Sequence, residues 1–220
     1  MRSRIWKNIK LCHIYIGNNS AGNTVGGNLV ANNAGTGTSY LYLSNATAST
    51  LTVTGTTTLN NTGAGSNTRI YLGNSGDVTL NDNLTMTNSA SGTSGYIYVG
   101  SEVNSAVNIS GNTTLTNSGA GSNKVFYLGN QGDITFDGTL SIVNNSSASN
   151  SQIYCNQSSN STNFYNGNIT LENTNAASDG VFFGNNTGSG TLAATRTVSI
   201  GGGGFIAGLV TAIAFILQYM

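Results

Sequence analysis

The 220-residue chain has no proline, one histidine, two cysteines and few charges. Charged residues make up 6% of it, against roughly a quarter of an ordinary soluble domain. Asn, Gly, Ser and Thr take their place. With His13 alone, Ser-His-Asp triads and histidine-based metal sites are excluded. Cys12 and Cys155 are too far apart for a disulfide framework. The composition therefore leaves little room for catalysis, and we expect no metal and no cofactor.

The basic residues are concentrated at the start of a chain whose net charge is zero. Four of the seven fall within residues 1–13, which we interpret as an irregular basic arm. No nucleic-acid partner is expected, because phosphate binding needs many basic groups on one face. The arm lacks the sustained apolar run of a signal peptide. Repeat material begins partway through a unit at Ile14, so we expect the chain to start inside a longer array. An arm that contacts a membrane or a partner is the alternative.

A short apolar–aromatic–apolar motif, seen as Ile70-Tyr71-Leu72-Gly73-Asn74, recurs along the chain. Its central aromatic residues are Tyr15, Tyr42, Tyr71, Tyr98, Tyr127, Tyr154 and Phe182. The steps between their positions alternate between 27 and 29, and the last step is 28. A fixed period of this length is typical of a solenoid. Units 55–81 and 111–137 match at 17 of 27 positions, so the alternating step indicates a repeat of two turns.

Each period contains three apolar patches in which apolar and polar residues alternate, as in half-buried strands. The second patch is the tyrosine motif itself. The first patch is centred on Leu59, Met86, Leu115, Ile142 and Leu171. The third is Leu51/Val53, Val78/Leu80, Val107/Ile109, Ile134/Phe136 and Leu192/Ala194. Gly, Asn and Ser separate the patches, as turns require. We therefore predict an all-β fold, a single-chain parallel β-helix over residues 14–200 with about 27–29 residues and three short strands per turn. A right-handed coil is expected.

The alternation predicts that Ile70 and Leu72 fill the core and that the tyrosine between them faces outward. Cys155 replaces Leu or Val in the same motif, so we expect it to be a small buried hydrophobe. The outward stripe comprises Tyr42, Tyr71, Tyr98, Tyr127 and Tyr154. Two interpretations stay open for it. The rings support each other by stacking alone, or they form a surface for sugar rings or another repetitive partner.

A row of asparagines follows the first patch at a fixed offset of two residues. Its members are Asn61, Asn88, Asn117, Asn144 and Asn173. Stacked asparagines hydrogen-bond along the axis of parallel, in-register strands, so we predict a structural ladder here rather than a ligand site.

Outward threonine pairs on the same strands, such as Thr85/Thr87 and Thr114/Thr116, resemble ice-binding faces. This row degrades at Ser141/Val143 and Thr170/Glu172, so ice binding is the less favoured alternative.

The seven acidic residues offer no paired carboxylates. Asp77 and Asp133 occupy the same slot two turns apart, roughly 10 Å from each other at one strand spacing per turn. Glycoside hydrolysis needs two carboxylates about 5–9.5 Å apart across a cleft, and no other acid completes the pair. We expect a protein that is not an enzyme.

The chain changes character after the repeats. Residues 201–220 are Gly-rich and then apolar, with an uncharged, mainly apolar run at Phe205–Leu217. This run is shorter than the stretch of about 20 residues that a membrane-spanning helix usually needs, so a cap on the core, an incomplete turn and a membrane tail all stay open. An uncapped solenoid end would expose strand edges, and end-to-end self-association is therefore an expected interaction.

Residues 164–208 carry a resemblance to a known family. Thr191-Leu192-Ala193, Arg196-Thr197-Val198-Ser199-Ile200-Gly201 and Gly203-Gly204-Phe205, together with the repeated GNxTLTN and YLGN units, resemble β-helix segments of very large secreted repeat proteins of Bacteroidota-type bacteria. The resemblance covers roughly residues 14–210. It implies a stalk or adhesive module of a parent protein that is extracellular or on the outer cell surface. A polysaccharide or another cell-surface component is the implied partner, and the family supplies no catalytic residues.

Overall fold

A computed structural model describes residues 13–18, 21–174, 180–183 and 189–201. These residues form twenty-one strands, numbered β1 to β21 along the chain, and no helix. Each strand pairs in parallel with the strand three places further along, so the chain coils through three sheets of seven strands. The prediction of a parallel β-helix with three strands per turn is confirmed.

The strands of each sheet are spaced one turn apart in the chain. The first sheet comprises β1 (Ile14–Ile16), β4 (Thr38–Leu43), β7 (Asn67–Leu72), β10 (Ser94–Val99), β13 (Asn123–Leu128), β16 (Asn150–Cys155) and β19 (Val181–Phe183). The second comprises β2 (Asn23–Val25), β5 (Thr50–Val53), β8 (Asp77–Leu80), β11 (Ala106–Ile109), β14 (Asp133–Phe136), β17 (Thr162–Tyr165) and β20 (Ser189–Leu192). The third comprises β3 (Leu29–Asn33), β6 (Thr57–Asn61), β9 (Leu84–Asn88), β12 (Thr113–Asn117), β15 (Leu140–Asn144), β18 (Ile169–Asn173) and β21 (Val198–Gly201).

One continuous apolar core runs inside the three sheets. In β7, Ile70 and Leu72 are fully buried, whereas Tyr71 between them is half-buried on the outer side. The same alternation recurs in the other sheets because successive side chains of a strand point to opposite faces. Cys155 lies in this core, completely buried, as predicted. Removal of one large core side chain, such as Leu72→Ala, would cost about 2–5 kcal/mol.

The corner between the first and second sheets explains the alternating length of the repeat between Tyr42 and Tyr154. Residues 44–49, 100–105 and 156–161 form six-residue loops, and residues 73–76 and 129–132 form four-residue loops on the turns between them. The corner between the second and third sheets has three residues in each of these turns, for example 81–83 and 110–112. In each long loop, the backbone N–H of a closing serine (Ser49, Ser105 or Ser161) donates to the carbonyl three residues earlier. Between Tyr42 and Tyr154 the two-turn repeat is therefore set by this corner, whereas in the first turn β1 and β2 are also six residues apart although the step is 27.

The same corner accounts for the glycine that ends the tyrosine motif. The residue after each of the first six strands of the first sheet has a φ between 54° and 69°. These residues are Gly17, Ser44, Gly73, Gly100, Gly129 and Asn156. Glycine adopts this left-handed conformation without steric cost, and asparagine tolerates it better than most residues. At Gly73 a side chain is also excluded by space, because an added Cβ would lie 2.6 Å from Cγ2 of Val107.

One detail of the predicted strands was wrong. Leu192 and Ala194 were placed as the inward pair of their turn, but Gly190 and Leu192 occupy those positions in register with Asn163 and Tyr165. Ala194 lies in the short loop between β20 and β21. The last strand, β21, ends at Gly201, next to the predicted boundary of the repeat domain. The arm of residues 1–12 and the apolar run 205–217 lie outside the described residues.

Candidate functional site

The outer surface of the first sheet carries an unbroken aromatic column. The register pairs Tyr42, Tyr71, Tyr98, Tyr127 and Tyr154 in sequence, with Tyr15 at one end and Phe182 at the other. Neighbouring rings stack with centroids between 4.8 and 5.5 Å apart and planes within 21° of parallel. Every residue predicted for the stripe therefore lies in this one column, which we call the tyrosine column.

Stacking decides which part of each tyrosine is available to a partner. The rings of Tyr42 to Tyr154 have a neighbour on both faces, and all are half-buried. Burial, followed by the neighbouring hydroxyls, raises the pKa of Tyr42 to about 12. The column thus presents ring edges and hydroxyl groups, and a flat sugar ring cannot stack on an open aromatic face in its middle.

A second outward column runs beside the first and contains a fixed arginine. Tyr40, Arg69 and Tyr96 are in register on β4, β7 and β10. The guanidinium carbon of Arg69 lies 5.2 Å from the ring centroid of Tyr40 and 5.4 Å from that of Tyr96. Its Nε donates to Oδ1 of Asn67 at 2.9 Å, and its Nη1 donates to the hydroxyl of Tyr71 at 2.9 Å. Two cation–π contacts and two hydrogen bonds hold the group in place.

The charge of Arg69 has no counter-ion on this sheet. None of the seven described strands of the first sheet contains Asp or Glu. Partial burial lowers the pKa of Arg69, but the hydrogen bond to Tyr71 and the surrounding tyrosines raise it overall, so the guanidinium stays charged. A third outward column consists of small polar residues, among them Asn67, Asn123 and Asn150. The outer face of the first sheet therefore combines ring edges, hydroxyls, amides and one fixed positive charge.

The asparagines predicted as a ladder lie together at the buried corner between the third and first sheets. Nδ2 of Asn61, Asn88, Asn117 and Asn144 each donates to Oδ1 of the next asparagine at 3.1–3.3 Å. The same nitrogens donate across the corner to a backbone carbonyl seven residues later, such as Lys124 O from Asn117. All five side chains are fully buried. The row therefore links successive turns and closes the corner within each turn.

A buried lysine occupies an inward position at the corner beside this ladder. Lys124 occupies an inward position that carries Gly95 in the preceding turn and Ser151 in the following one. Its side chain is fully buried, and Nζ donates to the carbonyls of Gly92 and Asn123 at 2.7 and 3.0 Å. Burial lowers the pKa of Lys124 to about 8. A signal for this residue was present in the sequence, because alternation counted back from the outward Tyr127 places Lys124 on the inner side of β13.

Two of the acidic residues, Asp77 and Asp133, accept hydrogen bonds from backbone N–H groups. Oδ1 of Asp77 accepts the N–H of Ala106 at 2.9 Å, and Oδ1 of Asp133 accepts that of Thr162 at 2.7 Å. Both carboxylates thus cap the strand of the next turn in the second sheet. Asp77 and Glu102 also line a notch of about 400 Å³ between two long corner loops. Across the described residues, no three His, Cys, Asp or Glu side chains form a group that could hold a metal ion.

The third sheet has two outward columns, and only one of them is interrupted. The uninterrupted column has a hydroxyl at every position from β6 to β21: Thr58, Thr85, Thr114, Ser141, Thr170 and Ser199. In the interrupted column, Thr87 and Thr116 are adjacent in register, and the next positions are Val143 and Glu172. This column therefore lacks the regular hydroxyl spacing that an ice-like lattice would need beyond two turns.

The core of the sixth turn contains two side chains with polar groups from the second sheet, which we did not predict. Asn163 and Tyr165 point inward, in register with Ile134 and Phe136, and Phe164 between them is exposed. Nδ2 of Asn163 donates to the hydroxyl of Tyr165 at 3.2 Å, and this hydroxyl donates to Oδ1 of Asn156 at 3.3 Å. The sequence Asn163-Phe164-Tyr165 alternates in the opposite sense to the other repeats, because Phe164 falls on the outer side and the two polar residues fall on the inner side. This reversal was the available sign of the polar groups.

No protein-family model, curated protein or solved structure matches this chain. Over the part of the chain that the structure describes, no helix is long and apolar enough to cross a membrane. Function must therefore be inferred from the surfaces and the core of the β-helix itself.

Proposed function

We propose that this chain is a non-catalytic structural and adhesive module, a short stiff rod belonging to a bacterial surface or secreted protein. The observation that carries the proposal is the unbroken register of all three sheets. Seven stacked strands at one strand spacing per turn give a rod roughly 30 Å long. Backbone bonds and the tyrosine column join successive turns, and the asparagine ladder joins those from Asn61 to Asn173, so bending there would disturb all three together.

The placement of the acidic residues supports a role without catalysis. Asp77 and Asp133 are engaged with backbone N–H groups on the rim of the second sheet. Catalytic carboxylates need a partner at a fixed distance across a cleft, and these two belong to alternate turns. We expect no hydrolytic activity on glycans or peptides.

A carbohydrate-binding role for the tyrosine column is the second candidate. It is favoured by the row of ring edges and hydroxyls beside the amides of Asn67, Asn123 and Asn150. Hydroxyl and amide groups both donate and accept hydrogen bonds, which is what the hydroxyl groups of a sugar chain require. Because the ring faces are covered by their neighbours, we expect an extended polysaccharide to be recognised through hydroxyl contacts along the rod.

The test is a pull-down of the full chain on insoluble polysaccharides. The comparison variant is Tyr71/Tyr98/Tyr127→Phe, which keeps the stacked rings and removes three hydroxyls. We expect the parent protein to be retained and the variant to be released. Equal retention of both would exclude the hydroxyl row as the binding surface. Retention of neither would leave a spacer whose tyrosines serve only the stability of the fold.

A further inference from the structure

The fixed arginine on the outer face of the first sheet indicates which polysaccharides this face would select. We propose that Arg69, held between Tyr40 and Tyr96, is a carboxylate-binding subsite and that the ligand is an acidic polysaccharide, a chain of uronic acids. This inference rests on the proposed carbohydrate-binding role and narrows its ligand class.

The hydrogen bonds of Arg69 leave donors for a ligand. A guanidinium has five N–H groups in a planar fork. Two of them are used, one by Asn67 and one by the hydroxyl of Tyr71. The other three have no acceptor among the described residues. Such a fork matches the two oxygens of a carboxylate, and bonds of this kind are roughly twice as strong as those between neutral groups.

The immobilisation of the side chain favours binding further. Ordering a free arginine on binding costs conformational entropy, which weakens the complex. Here the tyrosine rings at 5.2 and 5.4 Å and the two hydrogen bonds already fix the guanidinium in the free protein. The group is also half-buried, where an ion pair is screened less than on an open surface. A carboxylate would therefore meet a preformed partner.

The surroundings of Arg69 discriminate between classes of anion. A nucleic acid would need several cations along the face, and Arg69 is the one arginine or lysine that points outward from the described strands of the first sheet. An acidic peptide is recognised by a cluster of arginines or along a free strand edge, whereas Arg69 has no second cation beside it on these strands and its own strand is paired on both sides. A uronic-acid chain has one carboxylate per sugar and hydroxyl groups for the neighbouring tyrosine and asparagine columns.

The experiment measures affinity of the full chain for soluble polygalacturonate and for the same polymer after methyl esterification, which removes the ligand charge. Arg69→Gln removes the protein charge. The matched control is Arg196→Gln, which changes the net charge equally at an exposed turn after β20. We expect Arg69→Gln and esterification each to weaken binding at least about tenfold. Their combination should weaken it no further, and Arg196→Gln should leave it unchanged.

Several outcomes would overturn the inference. Equal affinity of the parent protein for the charged and esterified polymers would do so without any variant, even if Arg69→Gln failed to fold. Equal, Arg69-dependent binding of polyglutamate would assign the subsite to acidic peptides. Binding of neutral polysaccharides alone would refute the acidic ligand and leave the proposed carbohydrate-binding role standing. Binding of no polysaccharide would refute that role as well.

Discussion

Raising the pH from neutral towards 10 should stabilise this protein, because one lysine is buried in its corner. Lys124 has a pKa of about 8 in the folded chain against an ordinary value of 10.5. Below pH 8 the amine is charged in both states, and its burial lowers the free energy of unfolding by the full amount. Between pH 8 and 10.5 the folded protein has released the proton while the unfolded chain still binds it, so stability rises.

The size of the effect follows from the shift. One pKa unit corresponds to about 1.4 kcal/mol, which sets an upper limit of about 3 kcal/mol for Lys124. One of its two carbonyl partners, on Gly92, belongs to a partly exposed residue, and solvent screening reduces the gain. We therefore expect a rise of about 2 kcal/mol. Above pH 10 the trend reverses. Burial raises the pKa of Tyr42 to about 12, so this tyrosine ionises first in the unfolded chain and stability falls again.

The assay is urea unfolding followed by circular dichroism at pH values from about 7 to 11, with the midpoint and slope fitted at each. Lys124→Met keeps the aliphatic stem and removes the amine, so its stability should stay level where that of the parent rises. A parent protein with a flat profile between pH 8 and 10 would refute the reasoning. If the stability of Lys124→Met rises with pH as steeply as that of the parent protein, the effect belongs to another titratable group.

Three further changes test separate parts of the fold. Gly73→Ala should lower the free energy of unfolding by about 2–4 kcal/mol, because the residue has a φ of 69° and its Cβ would meet Val107; Gly26→Ala, with open space around it, is the control. Asn117→Leu should cost about 2–4 kcal/mol by leaving buried rung partners unpaired, measured by the same urea unfolding. The thiol of Cys155 should not react with a water-soluble thiol reagent until the protein unfolds, since it is fully buried and burial raises its pKa.

Each of these three predictions would be contradicted by a specific result. Equal stability of the two glycine variants would mean that the corner can rearrange around an added methyl group. A stable Asn117→Leu protein would show that apolar packing replaces the ladder at no cost. Rapid labelling of Cys155 in the native protein would indicate that the sixth turn opens locally.

The repeat period and the alternation of apolar residues were sufficient to predict the fold. Tyr71, with Ile70 and Leu72 on either side, determines which side chains face the core, and the nearly constant step between motifs places each one over the last. Both signals are local, and a parallel ladder makes every turn equivalent. The prediction of the asparagine row had the same basis, because a side chain at a constant offset from a strand must meet its equivalent in the next turn.

Contacts that involve several turns could not be predicted in this way. Lys124 and Arg69 both come shortly before the tyrosine motif of their turn. Alternation counted back from the outward tyrosine places Lys124, three residues before Tyr127, inward and Arg69, two residues before Tyr71, outward, and the register agrees. The polar core at Asn163 and Tyr165 depends on the same parity. The sandwich of Arg69 between Tyr40 and Tyr96 requires three residues from three turns. No pattern within one repeat contains that information.

The alternation of long and short corner loops gives one edge of the rod a coarser spacing than its faces. The three sheets repeat at every turn, about 4.8 Å apart. From residues 44–49 to residues 156–161, six-residue loops alternate with four-residue loops, which doubles the interval between loops of equal length. A rigid partner with a regular lattice can be commensurate with one of these intervals and out of phase with the other. The molecule therefore has two different repeat intervals, one along its sheet faces and a longer one along the edge formed by the corner loops. A fibre with a regular surface lattice would fit the sheet faces or the loop edge, depending on which of the two intervals its own repeat matches.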